Sequence, residues 1–353
     1  MSLVGKLEAG KNMPKTLKHC YELITTAENL YSAYLRARAG KQDRHSVAEF
    51  TFNLEKELFD LRSELVRRQY IHGPYRQRTI YERKPRVISI ARFRDRVVHH
   101  ALMGVVEPRL DRSMIEDSYA CRAGKGVHRA VDRYQHYAQR YPYVLKLDIQ
   151  KYFASVDHAT MLRQLRRRIS DPDVLDLFTQ ILTSYSAQTS KGLPIGNLTS
   201  QFLANFYLNG FDHWIKEELR VPGYLRYVDD FFVFARSKRA AWHYVSQIEG
   251  YMTTLQLQLH PNKVHLSQTR ERVDVLGYIV TPDRRWLRND NGHRFQRRFK
   301  RLSSQFNAGE ITFNQLNQSV RSWIGHAQHG ETLGLRKALF RRPVLGRINA
   351  LSV

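Results

Sequence analysis

The sequence predicts an α+β fold with a mainly antiparallel sheet. Apolar residues at helical spacing dominate the N-terminal region, and beyond it short runs of β-branched and aromatic residues alternate with further helical stretches. The chain has 353 residues, of which 42% are hydrophobic and 25% are charged. That length and composition suffice for two or three units of ordinary domain size with a sizeable core.

The N-terminal region is predicted to begin with helices. Its two apolar stripes run through Leu17, Tyr21, Ile24 and Tyr31, and through Leu54, Leu58, Leu61 and Leu65. Gly73 and Pro74 then break the helical pattern. Residues 78–81 and 86–90 are predicted to form two strands around a basic turn, and residues 94–106 a helix.

The middle of the chain is predicted to supply the main sheet. In order, the patterns predict a strand over 143–148, helices over 158–183 and 199–218, strands on both sides of Asp229-Asp230, a helix over 238–256 and a strand pair or turn over 273–280. Because short strands and helices alternate without a repeated parallel unit, an antiparallel sheet is favoured.

The charge balance points to a polyanionic partner. Lys and Arg total 57 against 33 Asp and Glu, which gives a formal charge of +24 and a pI near 10.2. Nucleic acid is the leading interpretation, although a membrane surface or simple solubility is also compatible. No segment approaches the ~20 apolar residues of a membrane span, so no membrane partner is expected.

Cysteine content limits the kinds of site that the chain can build. Only Cys20 and Cys121 are present. They cannot form a disulfide framework or a four-cysteine zinc site, so a reducing, cytoplasmic location is expected.

The tetrapeptide Tyr227-Val228-Asp229-Asp230 is the most informative segment for chemistry. Strand-favouring residues surround it, so the two carboxylates are predicted to lie at the tip of a hairpin. Adjacent carboxylates repel each other unless a cation neutralises them. A divalent metal that handles phosphate fits a basic chain, whereas a solvated Asp-Asp turn is the plainer alternative.

Asp148 is the third candidate carboxylate. It closes an apolar strand, where a charge is unfavourable unless it is paired or bound to a metal. It lies far from Asp229 in sequence, so any meeting must be tertiary. Three carboxylates from two strand ends suffice to hold two Mg²⁺ ions, with Mn²⁺ as an alternative in vitro.

The order of motifs along the chain resembles that of reverse transcriptases. The matching segments are Lys-Pro-Arg-Val-Ile at 84–88 and Asp-Arg-Val-Val at 95–98 (fingers), Ser-Tyr-Ala-Cys-Arg-Ala-Gly-Lys-Gly at 118–126 (a bacterial basic loop), Leu-Asp-Ile-Gln-Lys-Tyr-Phe at 147–153 (motif A), Leu-Pro-Ile-Gly-Asn-Leu-Thr-Ser-Gln at 193–201 (motif B), Tyr-Val-Asp-Asp at 227–230 (motif C), Leu-His-Pro-Asn-Lys at 259–263 (motif D) and Leu-Gly-Tyr at 276–278 (primer grip). One motif is weak, but the whole series in this order makes chance a poor explanation.

The resemblance implies a right-hand polymerase. Residues 1–110 are expected to form N-terminal helices and fingers, residues 111–280 the palm with the remaining fingers elements, and residues 281–353 a basic helical thumb. The part after Val280 suits a small thumb but not an added domain of ~100 residues or more. We therefore expect a polymerase that relies on other factors for priming and integration.

The resemblance also implies roles for individual residues. Asp148, Asp229 and Asp230 are expected to bind the metals with the Ile149 carbonyl, and Lys263 to act as a general acid toward pyrophosphate. Arg86 and Lys84 are expected to hold the incoming triphosphate, because a guanidinium grips phosphate oxygens in a fork. The other members of the expected nucleotide site are Phe153 as the gate against a 2′-hydroxyl, Ile195, Gly196 and Gln201. The expected primer grip is Leu276, Gly277 and Tyr278.

The thumb is expected to track nucleic acid. From Arg284 to Arg301 the sequence has eight Lys or Arg against one carboxylate, Asp290. The apolar residues of this stretch keep helical spacing, so its basic residues are expected on the remaining faces. The candidate contacts to the template RNA and the RNA/cDNA hybrid are Arg294, Arg297, Arg298 and Arg301.

Departures from the usual motif B narrow the resemblance. Many bacterial and intron-type enzymes have Leu-Pro-Gln-Gly and Ser-Pro, where this chain has Ile195 and Gln201. This segment resembles motif B of the enzymes of diversity-generating retroelements, and Ser-Trp-Ile-Gly-His-Ala at 322–327 resembles a C-terminal segment of the same enzymes. That resemblance implies error-prone copying of template adenines from dNTPs, and a small, basic, oligomeric accessory protein as partner.

Two other interpretations stay open from the sequence. The chain is either another bacterial reverse transcriptase, such as a phage-defence enzyme, or a non-catalytic RNA-binding module with the same fold. Intact Asp148, Asp229 and Asp230 argue against the module, since clustered carboxylates without a metal only destabilise a protein. Neighbouring genes discriminate the first of these from the diversity-generating interpretation, which a near-identical template/variable repeat pair and an accessory gene would support.

Overall fold

The computed structural model describes residues 16–81, 85–185 and 189–341, and it confirms an α+β fold with antiparallel sheets. The chain divides into two compact units that interleave along the sequence. The first is Met1–Arg122, Asp148–Arg220 and Ser246–Asn262; the second is Ala123–Leu147, Val221–Val245 and Lys263–Val353. The expected boundaries of fingers, palm and thumb, which are contiguous, remain a prediction.

The first unit begins with helices, but the first predicted stripe is not one helix. The helices are α1 Tyr21–Ile24, α2 Ala27–Arg38, α3 His45–Phe52 and α4 Leu54–Val66. Leu17 forms a bridge with Ile169 instead, and Tyr31 is half exposed. The first helix ends at Ile24, and Thr26 starts the next, because its hydroxyl accepts a hydrogen bond from the backbone N–H of Asn29.

A hairpin and a long helix follow in the same unit. Strands β1 Arg76–Tyr81 and β2 Pro85–Ile90 pair antiparallel, as predicted, and α5 spans Phe93–Asp111. The basic turn that joins the strands lies outside the described residues. Helix α5 extends past the predicted end and contains Pro108. Its Val97, Val98 and Leu102 are fully buried, which makes α5 central to this unit.

The remaining helices of the first unit are shorter than the sequence patterns predicted. They are α7 Tyr152–Ser155, α8 His158–Arg166, α9 Pro172–Thr183, α10 Leu198–Tyr207 and α11 Asn209–Glu217. The predicted helix over 158–183 breaks because Asp171 caps a new helix that has Pro172 at its first position. The predicted helix over 199–218 breaks at Leu208.

The second unit contains the main sheet apart from Asp148, the last residue of β3, which belongs to the first unit. Its strands are β3 Tyr143–Asp148, β4 Gly223–Tyr227, β5 Asp230–Ala235 and β6 His265–Gln268, in the order β4-β5-β3-β6. Helix α6, Val127–Ala138, packs on it through Tyr134, whose ring meets Phe232 and Phe234 at 5.2 Å between ring centroids.

A second, smaller sheet and the C-terminal helices complete this unit. Its elements are β7 Val273–Val275, β8 Tyr278–Val280, β9 Arg285–Leu287, α13 Asn289–Asn307, α14 Phe313–Ala327 and α15 Leu333–Phe340. The predicted strand pair over 273–280 is confirmed as the β7–β8 hairpin. Stacked rings of Phe295 and Trp323, 4.1 Å between centroids, join α13 to α14.

Between β5 and β6 the chain forms helix α12, Lys238–Thr254, and then a 3-10 turn, Pro261–Lys263. Within the described ranges, no helix has the length and apolar character that a membrane crossing requires.

Candidate active site

The β4–β5 hairpin presents Asp229 and Asp230 at its tip, as the sequence predicted. Tyr227 pairs with Asp230 as the last rung, and Val228 and Asp229 form the turn. Val228 has φ +58°, in the left-handed region that β-branched residues rarely adopt. Phe231 is fully buried, whereas both carboxylates are partly exposed. A buried strand pair therefore holds two solvent-accessible carboxylates.

Asp148 ends a strand of the same sheet. Strand β3 lies between β5 and β6, and its last residue is Asp148. Leu145 and Leu147 on β3 are fully buried, and Asp148 itself is only 8% exposed. The sequence prediction of a carboxylate that closes an apolar strand is confirmed.

The backbone after Asp148 is arranged so that the Ile149 carbonyl faces away from its neighbouring chain segment. Ile149 forms an isolated antiparallel bridge with Leu259. The hydrogen bonds around it run from His260 N to Asp148 O (2.8 Å) and from Gln150 N to Gln258 O (2.9 Å). In that pattern the central residue's own carbonyl points away from the partner strand. This orientation suits the role of extra ligand expected for Ile149.

The motif B loop docks on strand β2 within the first unit. The backbone N–H of Ser89 donates to Ile195 O (3.0 Å), and Asn197 Nδ2 donates to Ser89 O (2.8 Å). Gly196 has φ +104°, and a Cβ there would lie 2.5 Å from Ile88 Cγ2. Only glycine permits this backbone and this close approach. The structure therefore brings Ile195 and Gly196 against the strand that carries Arg86.

Arg86 is exposed on β2, two residues before Ile88. Alternate residues of a strand share one face, so Arg86 lies on the face of β2 that meets Gly196. Its side chain is thus available beside the motif B loop. Lys84, the second expected triphosphate ligand, lies outside the described residues.

Phe153 contacts the motif B segment through its backbone. Its carbonyl accepts a hydrogen bond from Leu193 N (2.7 Å), and its ring is partly exposed. The preceding Tyr152 is buried and donates its hydroxyl to Ala204 O, which fixes the start of α7. Gln201 is exposed on α10, and its backbone N–H donates to Asn197 O (3.2 Å). The first unit thus brings together the described residues expected around the nucleotide.

The expected primer grip divides into an accessible turn and a buried anchor. Leu276 and Gly277 form the β7–β8 turn with φ +50° and +96°. Tyr278 is fully buried, and its hydroxyl lies 2.8 Å from the carbonyl oxygen of His326 on α14. Tyr278 therefore anchors the hairpin to α14, while Leu276 and Gly277 are partly exposed. Contact between this turn and a primer stays a prediction. Lys263 lies at the end of the 3-10 turn and is partly exposed.

Helix α13 shows the one-sided burial that the sequence predicted. Phe295 and Phe299 are buried, while the basic candidates on the remaining faces are exposed: Arg294, Arg297, Arg298 and Arg301. Arg294 pairs with Asp290 at 3.5 Å, on the helix surface. Contact between this face and nucleic acid stays a prediction.

Three residues that position the site were missed from the sequence. Ser89 and Asn197 tie the motif B loop to β2, and Arg226 lies buried beside the carboxylate turn. An arginine inside an apolar strand was a readable signal for Arg226. The hydrogen bonds of Ser89 and Asn197 depend on the tertiary fold and had no local signal.

Comparisons with known proteins agree with this geometry. Residues 76–280 match the family described as Reverse transcriptase (RNA-dependent DNA polymerase). Protein YkfC of Escherichia coli strain K12 is 25% identical over 274 residues, covering 64% of this chain and 71% of that protein. The Group II intron-encoded protein LtrA of Lactococcus lactis is 24% identical over 156 residues, covering 42% of this chain and 25% of that protein.

Among solved structures, a telomerase from Candida albicans in complex with a fragment of telomeric RNA aligns with a TM-score of 0.48 and 9% identity, covering 67% of this chain and 51% of that chain. The family match alone spans more than half of the sequence, and it includes the β1–β2 hairpin, the main sheet and the carboxylate turn. It agrees with the right-hand polymerase fold that the motif order implied. The chain therefore belongs to the reverse transcriptase family of RNA-directed DNA polymerases, which are nucleotidyltransferases.

Proposed function

We propose that this chain copies a template RNA into error-prone cDNA and acts as the polymerase of a diversity-generating retroelement. The observation that carries the catalytic part is the order of the main sheet: β3, which ends at Asp148, is the neighbour of β5, which begins at Asp230. Strand neighbours bring residues far apart in sequence to one sheet, which is what a shared metal site requires.

The candidate ligands fit magnesium. Asp148, Asp229, Asp230 and the Ile149 carbonyl offer only oxygen atoms, which hard divalent cations prefer. Among the residues that the structure describes, no group of three or more His, Cys, Asp or Glu side chains is already gathered as a metal site. The proposal therefore depends on these oxygens converging when the metal and substrates bind. These oxygens would hold two Mg²⁺ ions, which would supply activation of the primer 3′-hydroxyl and neutralisation of charge on the departing pyrophosphate.

The protein's own part in catalysis is to bind and orient the dNTP. Arg86 supplies a planar, permanently charged fork for phosphate oxygens. The Ile195–Gly196 backbone would line one side of the dNTP site, because the hydrogen bonds of Ser89 and Asn197 hold it in place. The proposal assigns to the Phe153 ring the exclusion of a 2′-hydroxyl, and to Lys263 the transfer of a proton to pyrophosphate.

Primer extension on an RNA template tests the polymerase assignment. The wild-type chain is expected to extend a DNA or RNA primer only with Mg²⁺ or Mn²⁺, and the Asp229→Ala/Asp230→Ala variant is expected to lose extension while it retains RNA binding. RNA retention on a filter separates lost catalysis from lost folding. Absence of metal-dependent extension, tested with and without a candidate accessory protein, rejects the proposed activity.

The finer assignment rests on Ile195. An isoleucine cannot donate or accept the hydrogen bond that glutamine would make beside the incoming nucleotide, and loss of one such contact weakens discrimination by ~1–3 kcal/mol. We expect misincorporation concentrated opposite template adenine, and fewer errors in Ile195→Gln. An unchanged error spectrum in the sequenced cDNA of that variant contradicts the assignment.

A second candidate is another kind of bacterial reverse transcriptase. The similarity to an intron-encoded protein favours it. The two are separated by the same sequencing experiment, since errors spread evenly over all template bases favour the second candidate. A small, basic, oligomeric accessory protein is part of the first proposal, as is a location in the cytoplasm of a bacterium or of a phage-infected cell.

A further inference from the structure

Arg226 is a charged residue at the next-to-last position of the buried strand β4. It has no exposed surface, and it heads the largest fully buried side chains among the described residues. Its neighbours Tyr224 and Leu225 on β4, and its cross-strand partner Phe231, are fully buried as well. A buried guanidinium is unfavourable unless hydrogen bonds satisfy it, so its position calls for a role that an apolar residue cannot fill.

The guanidinium contacts the backbone of the carboxylate turn. Arg226 Nη1 donates a hydrogen bond to the carbonyl oxygen of Val228 (3.0 Å). Val228 is the residue with φ +58°, directly before Asp229. Hairpin turns that need a positive φ normally use glycine or asparagine there, because a side chain branched at Cβ is strained. The turn therefore combines an unfavourable residue with a charged hydrogen bond to the strained residue's own carbonyl.

We propose that Arg226 is a positioning residue for the polymerase reaction: its buried guanidinium holds the Val228 carbonyl, and thereby fixes the turn that presents Asp229 and Asp230 to the metal. The inference rests on the proposed function, since it assumes that these carboxylates bind divalent cations. Arg226 itself lies on the sheet face opposite to Asp230, because Asp230 pairs with the next residue, Tyr227. It therefore acts through the backbone of the turn.

A purely structural role makes a different prediction. If Arg226 only fills the core, its removal lowers stability and leaves metal binding unchanged. If it restrains the turn, glycine at position 228 relieves the strain and makes the restraint less necessary. Val228→Gly is therefore expected to restore metal binding to an Arg226 variant, which a simple packing defect does not allow.

The experiment measures Mn²⁺ binding directly, by electron paramagnetic resonance on the full chain with template and primer bound, together with thermal unfolding and primer extension. The variants are Arg226→Met, Arg226→Lys and Arg226→Met/Val228→Gly. The control is Val233→Ala, which makes a cavity in the same hairpin but does not touch the turn; Val233 is fully buried and pairs with Tyr224.

Arg226→Met is expected to weaken Mn²⁺ binding by roughly 10- to 100-fold, the range of one lost charged hydrogen bond, and to lower kcat at fixed metal with little change in the KM for template–primer. Arg226→Lys is expected to be intermediate, since an ammonium lacks the planar fork. The double variant is expected to recover a substantial part of the loss. Val233→Ala is expected to unfold at lower temperature with unchanged Mn²⁺ binding.

Two results overturn the inference: Arg226→Met that binds Mn²⁺ as the wild type does, or a double variant that recovers nothing. If Arg226→Met does not fold, Arg226→Lys decides, and wild-type Mn²⁺ binding by Arg226→Lys overturns the inference. The proposed function fails separately, when the wild-type chain itself shows no metal-dependent extension. An active wild type with metal binding that is insensitive to position 226 refutes the inference alone.

Discussion

Gly196→Ala is expected to disrupt the motif B loop through two separable effects. The alanine must adopt φ +104°, a conformation that L residues rarely reach, and its Cβ would lie 2.5 Å from Ile88 Cγ2. Ile88 is β-branched and belongs to strand β2, so its methyl group cannot rotate away freely. Either the strand or the loop has to move.

The structure sets the size of the effect. A residue forced into such a backbone region costs about 1–3 kcal/mol. A loop that moves away from β2 also weakens the bonds from Ser89 N to Ile195 O and from Asn197 Nδ2 to Ser89 O, at about 1 kcal/mol each. We expect a destabilisation of about 2–4 kcal/mol, which corresponds to a fall in Tm of roughly 4–8 °C for a chain of this size.

The assay is thermal unfolding of a matched glycine series, with the KM for dNTP as a second readout. Gly277→Ala isolates strain, since Gly277 has φ +96° and open space around its Cβ position. Gly250→Ala has neither strain nor contact in helix α12, and it is expected to stabilise by up to about 1 kcal/mol. Gly196→Ala is expected to lower the Tm more than either control, and to raise the KM for dNTP, which Gly250→Ala does not.

A double variant tests the cause. Ile88→Ala removes the clashing methyl group, so Gly196→Ala/Ile88→Ala is expected to recover part of the loss relative to Ile88→Ala alone. The reasoning is refuted if Gly196→Ala lowers the Tm no more than Gly277→Ala does. It is also refuted if the Tm loss caused by Gly196→Ala is the same in the Ile88→Ala background as in the wild type.

Two further predictions concern pH and salt. Burial lowers the pKa of His99 to about 3, so between this value and the ordinary value near 6.5 the folded protein binds fewer protons than the unfolded chain. The free energy of unfolding should therefore fall as the pH drops below 6.5. His99→Gln should flatten that decline, measured as urea midpoints between pH 6.5 and pH 4, and it keeps a polar partner for His72, whose Nε2 lies 3.0 Å from His99 Nε2. An equally steep decline in the variant contradicts this prediction. For RNA binding, Arg297→Gln on α13 should reduce the slope of log binding constant against log salt concentration by about 1. The control Arg239→Gln on α12 should leave that slope unchanged. Equal slopes for the wild type and both variants would exclude the α13 face from the RNA contact.

Most of the elements around the site were predictable because their signals are local. Alternating and apolar runs identified β3, the β4–β5 hairpin and the β7–β8 hairpin, since a strand in a buried sheet needs such residues along its own length. The helix over 54–65 was equally clear from its leucines. The stripe from Leu17 to Tyr31 misled, because its spacing fits one helix while Thr26 caps a new one and Leu17 pairs with a distant segment.

The sequence by itself determined the chemistry of this protein: carboxylates at the ends of apolar strands, an aromatic residue after the first of them, and a basic face on a C-terminal helix, in an order typical of reverse transcriptases. Only the tertiary structure decided how those groups are held. Strand β3 lies beside β5, the Ser89 and Asn197 bonds dock the motif B loop on β2, and Arg226 reaches the strained carbonyl of Val228. Apart from the Arg226 bond, which spans two residues, these contacts join segments far apart in the sequence. They follow from which surfaces pack together, and no local sequence pattern encodes them.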